Sequence, residues 1–446
     1  HSHADPPPPG AILLATTMDA NADARSSSSP MHIVIFPWLA FGHMIPLLEL
    51  AERLVARGHR VSFVSTPRNL SRLRPVVGVH FVALPLPRVD GLPEGAEATS
   101  DLPPSPGNLA ELLLKAADGL VGPFSAFLDE GKKPDWLVLD NLHYLAAAAA
   151  ADRGVPSVMF LPFAAASTAL WGVPRVSTVV DPELGATVPQ RFVLTYQCCK
   201  IVAQRCCVEF DPEAVPLLPG VLGKPFAPMG LLPPPPLRAS SNNEGDELVS
   251  WLDRHPAKSV VYVALGTEAP LTTELVHELA IGLELAGTPF LWALRKVGDQ
   301  DVLPPGFEER IKGRGLVAMG MVPQTRVLAH GSVGAFLTHS GPGSAIEGIQ
   351  YGHPLVMLPF FGDQQTGAQF MERKKVGLRV PRNGEDGLSF DRQGVASTVR
   401  AVVVDEQAGR VFAANANKWQ QVVADTACHE RYIDEFVQQL RFYKDQ

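Results

Sequence analysis

The chain has 446 residues, of which 46% are hydrophobic and 19% are charged, so its composition is that of a globular protein with two or three domains. Its formal net charge is −8, which argues against nucleic acid or an anionic membrane as the main partner. The five cysteines are two adjacent pairs, Cys198-Cys199 and Cys206-Cys207, and Cys428. Their odd number and spacing favour free, partly buried thiols in a reducing compartment over disulfides or a metal site.

Residues 1–30 combine a proline run, a serine run and one short apolar stretch, AILLA. This composition predicts a disordered tail, or an added segment ahead of a natural start at Met18. AILLA is too short for the core of a signal peptide, and no run of about 18 apolar residues occurs in the chain. We therefore predict a cytoplasmic protein without stable insertion into a membrane.

The first elements follow the pattern of a strand, a helix and a second strand. HIVIFP is an apolar run typical of a buried strand, apolar residues then recur at helical spacing from Ile45 to Val55, and RVSFVST alternates as a second strand. Gly58 ends the helix. This unit builds a parallel sheet. A dinucleotide-binding Rossmann domain is the first alternative, but it needs G-x-G-x-x-G in the first turn, where this chain has only Gly42.

Strands and helices continue to alternate along the chain, with a strand over residues 76–86, a helix over 108–128 and a buried strand over 135–139. Four consecutive prolines followed by Ser, Asn and Gly then predict a linker over 231–247.

The linker divides the chain into an N-terminal domain over 31–230 and a C-terminal domain over 248–446. The last helix, predicted over 429–443, is expected to return to the N-terminal domain. The predicted fold class is α/β, with two doubly wound domains that face each other across a cleft.

The most informative stretch covers residues 321–365. Within it an apolar run, Val333–Thr338, leads through HSGPGS into AIEGIQYG, the pattern of a strand, a tight turn and a helix. Such a turn points backbone N–H groups and the positive end of the helix dipole at a bound anion, and a phosphate suits that position. His339, Glu347 and Asp363 add donors for a phosphate and acceptors for hydroxyl groups. That combination indicates a nucleotide sugar.

This stretch resembles the donor-binding signature of plant UDP-dependent glycosyltransferases of family 1. The matching elements are PQ, His330, VGAF, THSG, Ser344, Glu347, Gly352, Pro354 and DQ. The resemblance implies a GT-B fold, with an acceptor-binding N-terminal domain, a UDP-sugar-binding C-terminal domain and neither a cofactor nor a metal. It also implies that the donor is bound by Thr267, Met321, Gln324, His339, Gly343, Ser344, Glu347, Asp363 and Gln364.

Within that set the resemblance implies individual roles. Uracil is assigned to Gln324, the ribose to Glu347, the phosphates to Thr267, His339 and Ser344, and the sugar to Asp363 and Gln364. Glu268 is a further candidate in the cleft.

Three positions depart from the family pattern, which usually has Trp at Met321 and Trp-Asn at Pro342 and Gly343. Met321 lacks an aromatic face for uracil, which is expected to weaken stacking by ~1 kcal/mol. Pro342 removes one N–H group but is well tolerated in the first turn of a helix. Gly343 loses side-chain contacts and keeps its backbone N–H. The departures therefore concern donor affinity and donor identity.

His43 lies in the first strand-to-helix loop, where open α/β sheets bind their ligands. A lone histidine is more often structural, but FPWLAFGHMIPLLELAERL resembles the family's N-terminal motif, in which this histidine is the general base. Asp140, at the end of a buried strand, matches the partner that holds the base in the right tautomer. Capping of the next helix is the alternative for Asp140. His143 is predicted to line the pocket.

The resemblance implies inverting transfer of a sugar, with glucose as the expected one, from a UDP-sugar to a hydroxyl group of a small plant molecule. Patches such as CHERYIDEFVQQLRFYKD resemble cereal enzymes that extend steviol or flavonoid glycosides, so the predicted acceptor is a sugar hydroxyl of a terpenoid or flavonoid glycoside. A family member that uses UDP-rhamnose or UDP-xylose and a non-catalytic nucleotide-sugar binding protein are the alternatives, with a Rossmann oxidoreductase as a distant third. No nucleic-acid partner is predicted.

Overall fold

A computed structural model describes residues 29–103, 107–181, 185–235, 247–295, 302–320, 322–384, 387–444 and 446. Met31–Gln446 form one compact unit, which contains two all-parallel sheets. The predicted tail up to residue 28, positions 236–246 of the predicted linker and Met321 lie outside the described residues.

The first sheet has seven strands among the described residues, in the order β3-β2-β1-β4-β5-β6-β7. The inner strands are continuous apolar runs because helices cover both faces of a parallel sheet. The strand order reverses between β1 and β4, which is where an α/β sheet opens a ligand crevice. The strands are β1 His32–Phe36, β2 Arg60–Ser65, β3 Val79–Ala83, β4 Trp136–Asp140, β5 Ser157–Leu161, β6 Ile201–Gln204 and β7 Phe226–Pro228.

The helices around this sheet include one difference from the sequence prediction. A single helix over 108–128 is wrong, because α3 ends at Asp118 and α4 begins at Val121. Pro123 explains the break, since it cannot donate to the carbonyl of Gly119 four residues earlier and its ring would clash with that carbonyl. The helices are α1 Phe41–Ala56, α2 Pro67–Arg72, α3 Leu109–Asp118, α4 Val121–Asp129, α5 Tyr144–Asp152, α6 Ala165–Trp171, α7 Val188–Cys198 and α8 Leu218–Leu222.

The second sheet has six strands in the described part of the chain, in the order β10-β9-β8-β11-β12-β13, and its strand order reverses between β8 and β11. The strands are β8 Val260–Ala264, β9 Phe290–Leu294, β10 Gly315–Met319, β11 Val333–Thr338, β12 Leu355–Met357 and β13 Gly377–Arg379. The helices are α9 Glu247–Leu252, α10 Thr273–Ala286, α11 Phe307–Arg310, α12 Gln324–Leu328, α13 Pro342–Gln350, α14 Gly362–Arg373, α15 Arg392–Val403, α16 Glu406–Ala424 and α17 Thr426–Lys444.

The C-terminal helix α17 packs against the first sheet. Its apolar face contributes Ile433, Phe436 and Leu440 to the core cluster that also contains β1 and β4 residues. The indole N–H of Trp136 donates to the carbonyl of Leu440 at 3.0 Å. The end of the chain thus helps to complete the core of the half in which it began.

All five cysteines are free thiols, and all but Cys198 are buried. Burial raises the pKa of the Cys199 thiol to about 11, so this thiol is neutral and unreactive at physiological pH. The sequence prediction of buried, unpaired thiols is confirmed. Among the described helices, none combines the length and the apolar character that a membrane span requires.

Candidate active site

His43 and Asp140 meet at the switch point of the first sheet. β1 is followed by α1, whose third residue is His43, and the neighbouring parallel strand β4 ends at Asp140. Because parallel strands end at the same edge of a sheet, the two side chains are brought together across 97 positions of sequence. The His43 Nδ1 atom lies 2.6 Å from Asp140 Oδ2.

The burial of this pair is uneven. Asp140 is completely buried, whereas 20% of the His43 side chain is exposed. The carboxylate accepts a hydrogen bond from the Nδ1–H group of His43, which leaves Nε2 as the basic nitrogen. Burial by itself lowers the pKa of His43, but the charge and hydrogen bond of Asp140, together with the charges of two further carboxylates, more than offset it, and the pKa lies above the ordinary value of 6.5. The imidazole is therefore a strengthened base.

Two carboxylates of the second half of the chain, the part that forms the second sheet, also affect the pKa of His43. Glu268, in the loop after β8, and Asp363, the second residue of α14, both raise the pKa of His43 through their charge. Burial raises the pKa of the Asp363 carboxyl, and the His43 charge lowers it in turn. Glu268 accepts a hydrogen bond of 2.5 Å from the hydroxyl of Thr99. The base of the first half thus faces acidic groups of the second half.

The turn between β11 and α13 has the form of an anion site. Ser340 has a φ of +62°, a left-handed conformation that turns the chain sharply. Gly341 occupies the N-cap position of α13 and has no side chain with which to cap the helix, and Pro342 is the first helical residue. The N–H groups of Gly343 and Ser344 in the first helical turn therefore remain for a ligand.

His339 is held within this turn by two glycines. A Cβ atom added at Gly266 would lie 2.7 Å from the His339 ring, and one added at Gly341 would lie 2.6 Å from its Nε2 atom. Burial lowers the pKa of His339 to about 4, so the ring is neutral at physiological pH. Its Nδ1 atom is buried without a hydrogen-bond partner among the described residues. The geometry suits a neutral imidazole that donates to a ligand.

Gln324 and Glu347 are joined to each other. The amide nitrogen of Gln324 donates to Glu347 Oε2 at 2.6 Å, and the hydroxyl of Tyr262 lies 3.5 Å from the amide oxygen of Gln324. Burial raises the pKa of the Glu347 carboxyl, and the Gln324 hydrogen bond opposes that shift. The two side chains predicted for uracil and ribose therefore form one connected wall.

Gln364 has a structural role that the sequence did not predict. Its side-chain oxygen accepts hydrogen bonds from the backbone N–H groups of Phe360 and Phe361 at 2.9 and 3.3 Å, so it caps α14. Only its amide nitrogen is left for a sugar hydroxyl.

Thr267 lies exposed in the loop after β8, and its carbonyl accepts a hydrogen bond of 2.5 Å from Arg295. His143 is 6% exposed, stacks on Phe36 and bonds through Nε2 to the carbonyl of Pro37 at 2.9 Å. It therefore holds the loop between β1 and α1 in place and does not line an open pocket.

Comparison with known proteins identifies the family to which the chain belongs. A family model described as UDP-glucoronosyl and UDP-glucosyl transferase matches residues 239–412. The chain is 41% identical to UDP-glycosyltransferase 91B1 of Arabidopsis thaliana, over 92% of this chain and 97% of that protein. The chain belongs to the plant UDP-glycosyltransferase family. It is an enzyme of the class that transfers a sugar from a UDP-sugar.

Further similar proteins match almost the whole length of this UDP-glycosyltransferase. UDP-glycosyltransferase 91D2 of Stevia rebaudiana is 38% identical over 95% of this chain and 97% of its own. Soyasaponin III rhamnosyltransferase of Glycine max is 34% identical over 96% of this chain and 99% of its own. The crystal structure of Arabidopsis thaliana UGT89C1 complexed with UDP-L-rhamnose matches with a TM-score of 0.78 and 25% identity, over 93% of this chain and 100% of that one. The predicted GT-B fold is confirmed.

Three further residues of this UDP-glycosyltransferase border the cleft. Thr99 bonds to Glu268, Arg295 joins the carbonyls of Thr267 and Leu102, and the buried Arg205 approaches Gly343. The contacts Thr99–Glu268, Arg295–Leu102 and Arg205–Gly343 join the two halves of the chain. For Arg205 alone the sequence carried a signal, namely a charge directly after the buried strand IVAQ.

Proposed function

We propose that this UDP-glycosyltransferase transfers glucose, with inversion, to a sugar hydroxyl of a terpenoid or flavonoid glycoside. The observation that supports a catalytic role most strongly is the 2.6 Å contact between His43 Nδ1 and Asp140 Oδ2. A protein that only bound a nucleotide sugar would have no use for a strengthened base beside the donor site.

The proposed mechanism begins with proton transfer. His43 Nε2 takes the proton of the acceptor hydroxyl, and the buried Asp140 carboxylate stabilises the imidazolium that forms. The hydroxyl oxygen attacks the anomeric carbon from the face opposite UDP, which inverts its configuration. The bond to the diphosphate oxygen breaks, and UDP leaves with the electron pair.

Charge that develops on the leaving diphosphate is proposed to be stabilised by His339 and by the first turn of α13, including Ser344. Thr267, in the exposed loop after β8, is proposed to add its hydroxyl. These groups would act without a metal ion. Glu347 and Gln324 are proposed to hold the ribose and uracil, and Asp363 with the amide nitrogen of Gln364 to hold the sugar.

UDP-rhamnose is the second candidate donor. One relative, 34% identical, is named a rhamnosyltransferase, and a similar structure contains UDP-L-rhamnose. Gly343 also leaves the sugar without the side-chain contacts that the family's usual Asn would give.

The test is a transfer assay that combines UDP-glucose, UDP-rhamnose and UDP-xylose with terpenoid and flavonoid aglycones and glycosides, read by mass spectrometry. The proposal expects a mass gain of one hexose on a glycoside acceptor, and an inverted anomeric configuration in the NMR spectrum of the product. A gain of deoxyhexose alone would replace glucose by rhamnose. UDP binding without transfer from any donor would favour a non-catalytic binding protein.

A further inference from the structure

Arg205 is a buried cation that follows β6 in the first half of the chain. Only 6% of its surface is exposed. Its Nε atom donates to the carbonyl of Leu231 at 2.5 Å, and Nη2 donates to the carbonyl of Leu232 at 3.1 Å. These two bonds fix the plane of the guanidinium group, while no described residue accepts a hydrogen bond from Nη1.

The free nitrogen points at the donor helix. Nη1 of Arg205 lies 3.5 Å from the position that a Cβ atom would occupy at Gly343, the second residue of α13. Gly343 is the position at which the family signature usually carries Asn. The guanidinium group therefore stands where that amide side chain would reach.

No carboxylate of the described residues lies within ion-pair distance of Arg205. Burial lowers its pKa to about 10, and the carboxylates of Glu347 and Glu49 oppose the shift from a greater distance. Arg191 makes an informative comparison, because it is equally buried but forms two hydrogen bonds of 2.6 Å with the carboxylate of Asp118. An unpaired buried charge is costly, so Arg205 lacks the anion that its position requires.

Other features at the same place also call for an anion. The positive end of the α13 dipole and the guanidinium group repel each other unless a negative charge lies between them. The Nδ1 atom of His339, close to the same turn, is buried without a partner among the described residues. The Arg205 guanidinium group and His339 thus both lie beside the first turn of α13, and all three features favour a bound anion there.

We propose that Arg205 is a donor-binding residue that contacts the diphosphate of the UDP-sugar from the opposite side of the cleft. It supplies a charged contact in place of the side chain that Gly343 lacks. This inference rests on the binding of a UDP-sugar and is independent of the acceptor. Because Arg205 is anchored to the carbonyls of residues 231 and 232, the bound diphosphate also ties the first half of the chain to α13.

The test compares ligands with and without phosphate. Isothermal titration of the full chain with UDP is expected to show a dissociation constant at least about tenfold higher for Arg205→Gln than for the unmodified protein, and an intermediate one for Arg205→Lys. Binding of uridine, measured by saturation-transfer NMR, is expected to change less than about twofold. Equal losses for UDP and uridine, or unchanged UDP affinity in Arg205→Gln, would overturn the proposal.

Arg53→Gln is the matched control. Arg53 also bonds to a carbonyl of this segment, that of Pro233, but it is paired with Glu430 and Glu49. Its replacement is expected to leave UDP affinity within about twofold of the unmodified protein. If Arg53→Gln weakened UDP as strongly as Arg205→Gln, support of the 231–233 segment would explain the effect and the proposal would fail. If the unmodified protein binds UDP but transfers no sugar, that result counts against the proposed reaction alone.

Discussion

The Nδ1 atom of His43 and the Oδ2 atom of Asp140 are 2.6 Å apart, although His43 lies in the first turn of α1 and Asp140 ends β4. The carboxylate is fully buried and the imidazole is partly exposed, so the base is accessible while its counter-charge is kept away from water. This arrangement is that of a base oriented by a second residue.

Asp140→Asn is expected to move the acid limb of the pH profile of kcat/KM. In the unmodified enzyme the pKa of His43 lies above 6.5, so activity is lost as the pH falls through a value above 6.5. Without the carboxylate, burial still lowers this pKa, and the limb shifts to lower pH. The plateau should fall by about 10²–10⁴-fold, because the imidazolium loses its partner. An unchanged limb in the variant would show that Asp140 does not tune the base.

Gly341→Ala is expected to raise the KM for the donor at least about tenfold. The new Cβ atom would lie 2.6 Å from Nε2 of His339 and would therefore displace the His339 ring. Steady-state kinetics with varied UDP-sugar measures the effect. Gly331→Ala is the matched control, since no atom lies within 4 Å of the added Cβ there. Equal KM values for the two variants would remove His339 from the donor site.

Gln364→Glu separates the two uses of this side chain. The carboxylate can still accept the N–H groups of Phe360 and Phe361, so the free energy of unfolding should stay within about 1 kcal/mol of the unmodified value. The amide nitrogen is lost, so the KM for the UDP-sugar should rise while the dissociation constant of UDP stays constant. A KM that does not change would mean that Gln364 serves α14 only.

Phe436→Ala tests the return of α17 to the first sheet. Phe436 is 1% exposed and lies in the core cluster of that sheet, so its truncation should reduce the free energy of unfolding by about 3–5 kcal/mol. Phe442→Ala on the same helix removes a side chain that is 62% exposed and should change it by less than about 0.5 kcal/mol. Chemical denaturation of both variants checks the difference; similar losses would contradict the packing.

Local pattern was enough to predict the elements that sequence neighbours build. The strand Val333–Thr338 and the helix after HSGPGS follow from apolar periodicity and turn chemistry. His43 and Asp140 were singled out by their resemblance to the family's motifs, and the rule that parallel strands end at one edge explains why they meet. The capping by Gln364 was missed because the usual sequence signature has Ser, Thr, Asp or Asn three residues before the Gln, where this chain has Phe361.

The contacts across the cleft could not be predicted in this way. Arg205 approaches Gly343, and Thr99 bonds to Glu268, because the parts of the chain that form the two sheets pack against each other. Nothing in the periodicity of one element specifies which residue of the other half it will meet. The break between α3 and α4 was predictable in principle, since Pro123 carries its cause, but apolar periodicity alone concealed it.

The role of His43 as the base of sugar transfer is tested by measuring the transfer rate of His43→Ala together with its UDP affinity. The kcat is expected to be at least about 10³-fold lower than that of the unmodified enzyme. The dissociation constant for UDP is expected to stay within about threefold, because His43 belongs to the first half of the chain and the α13 turn to the second. Transfer by His43→Ala at the unmodified rate would contradict this role.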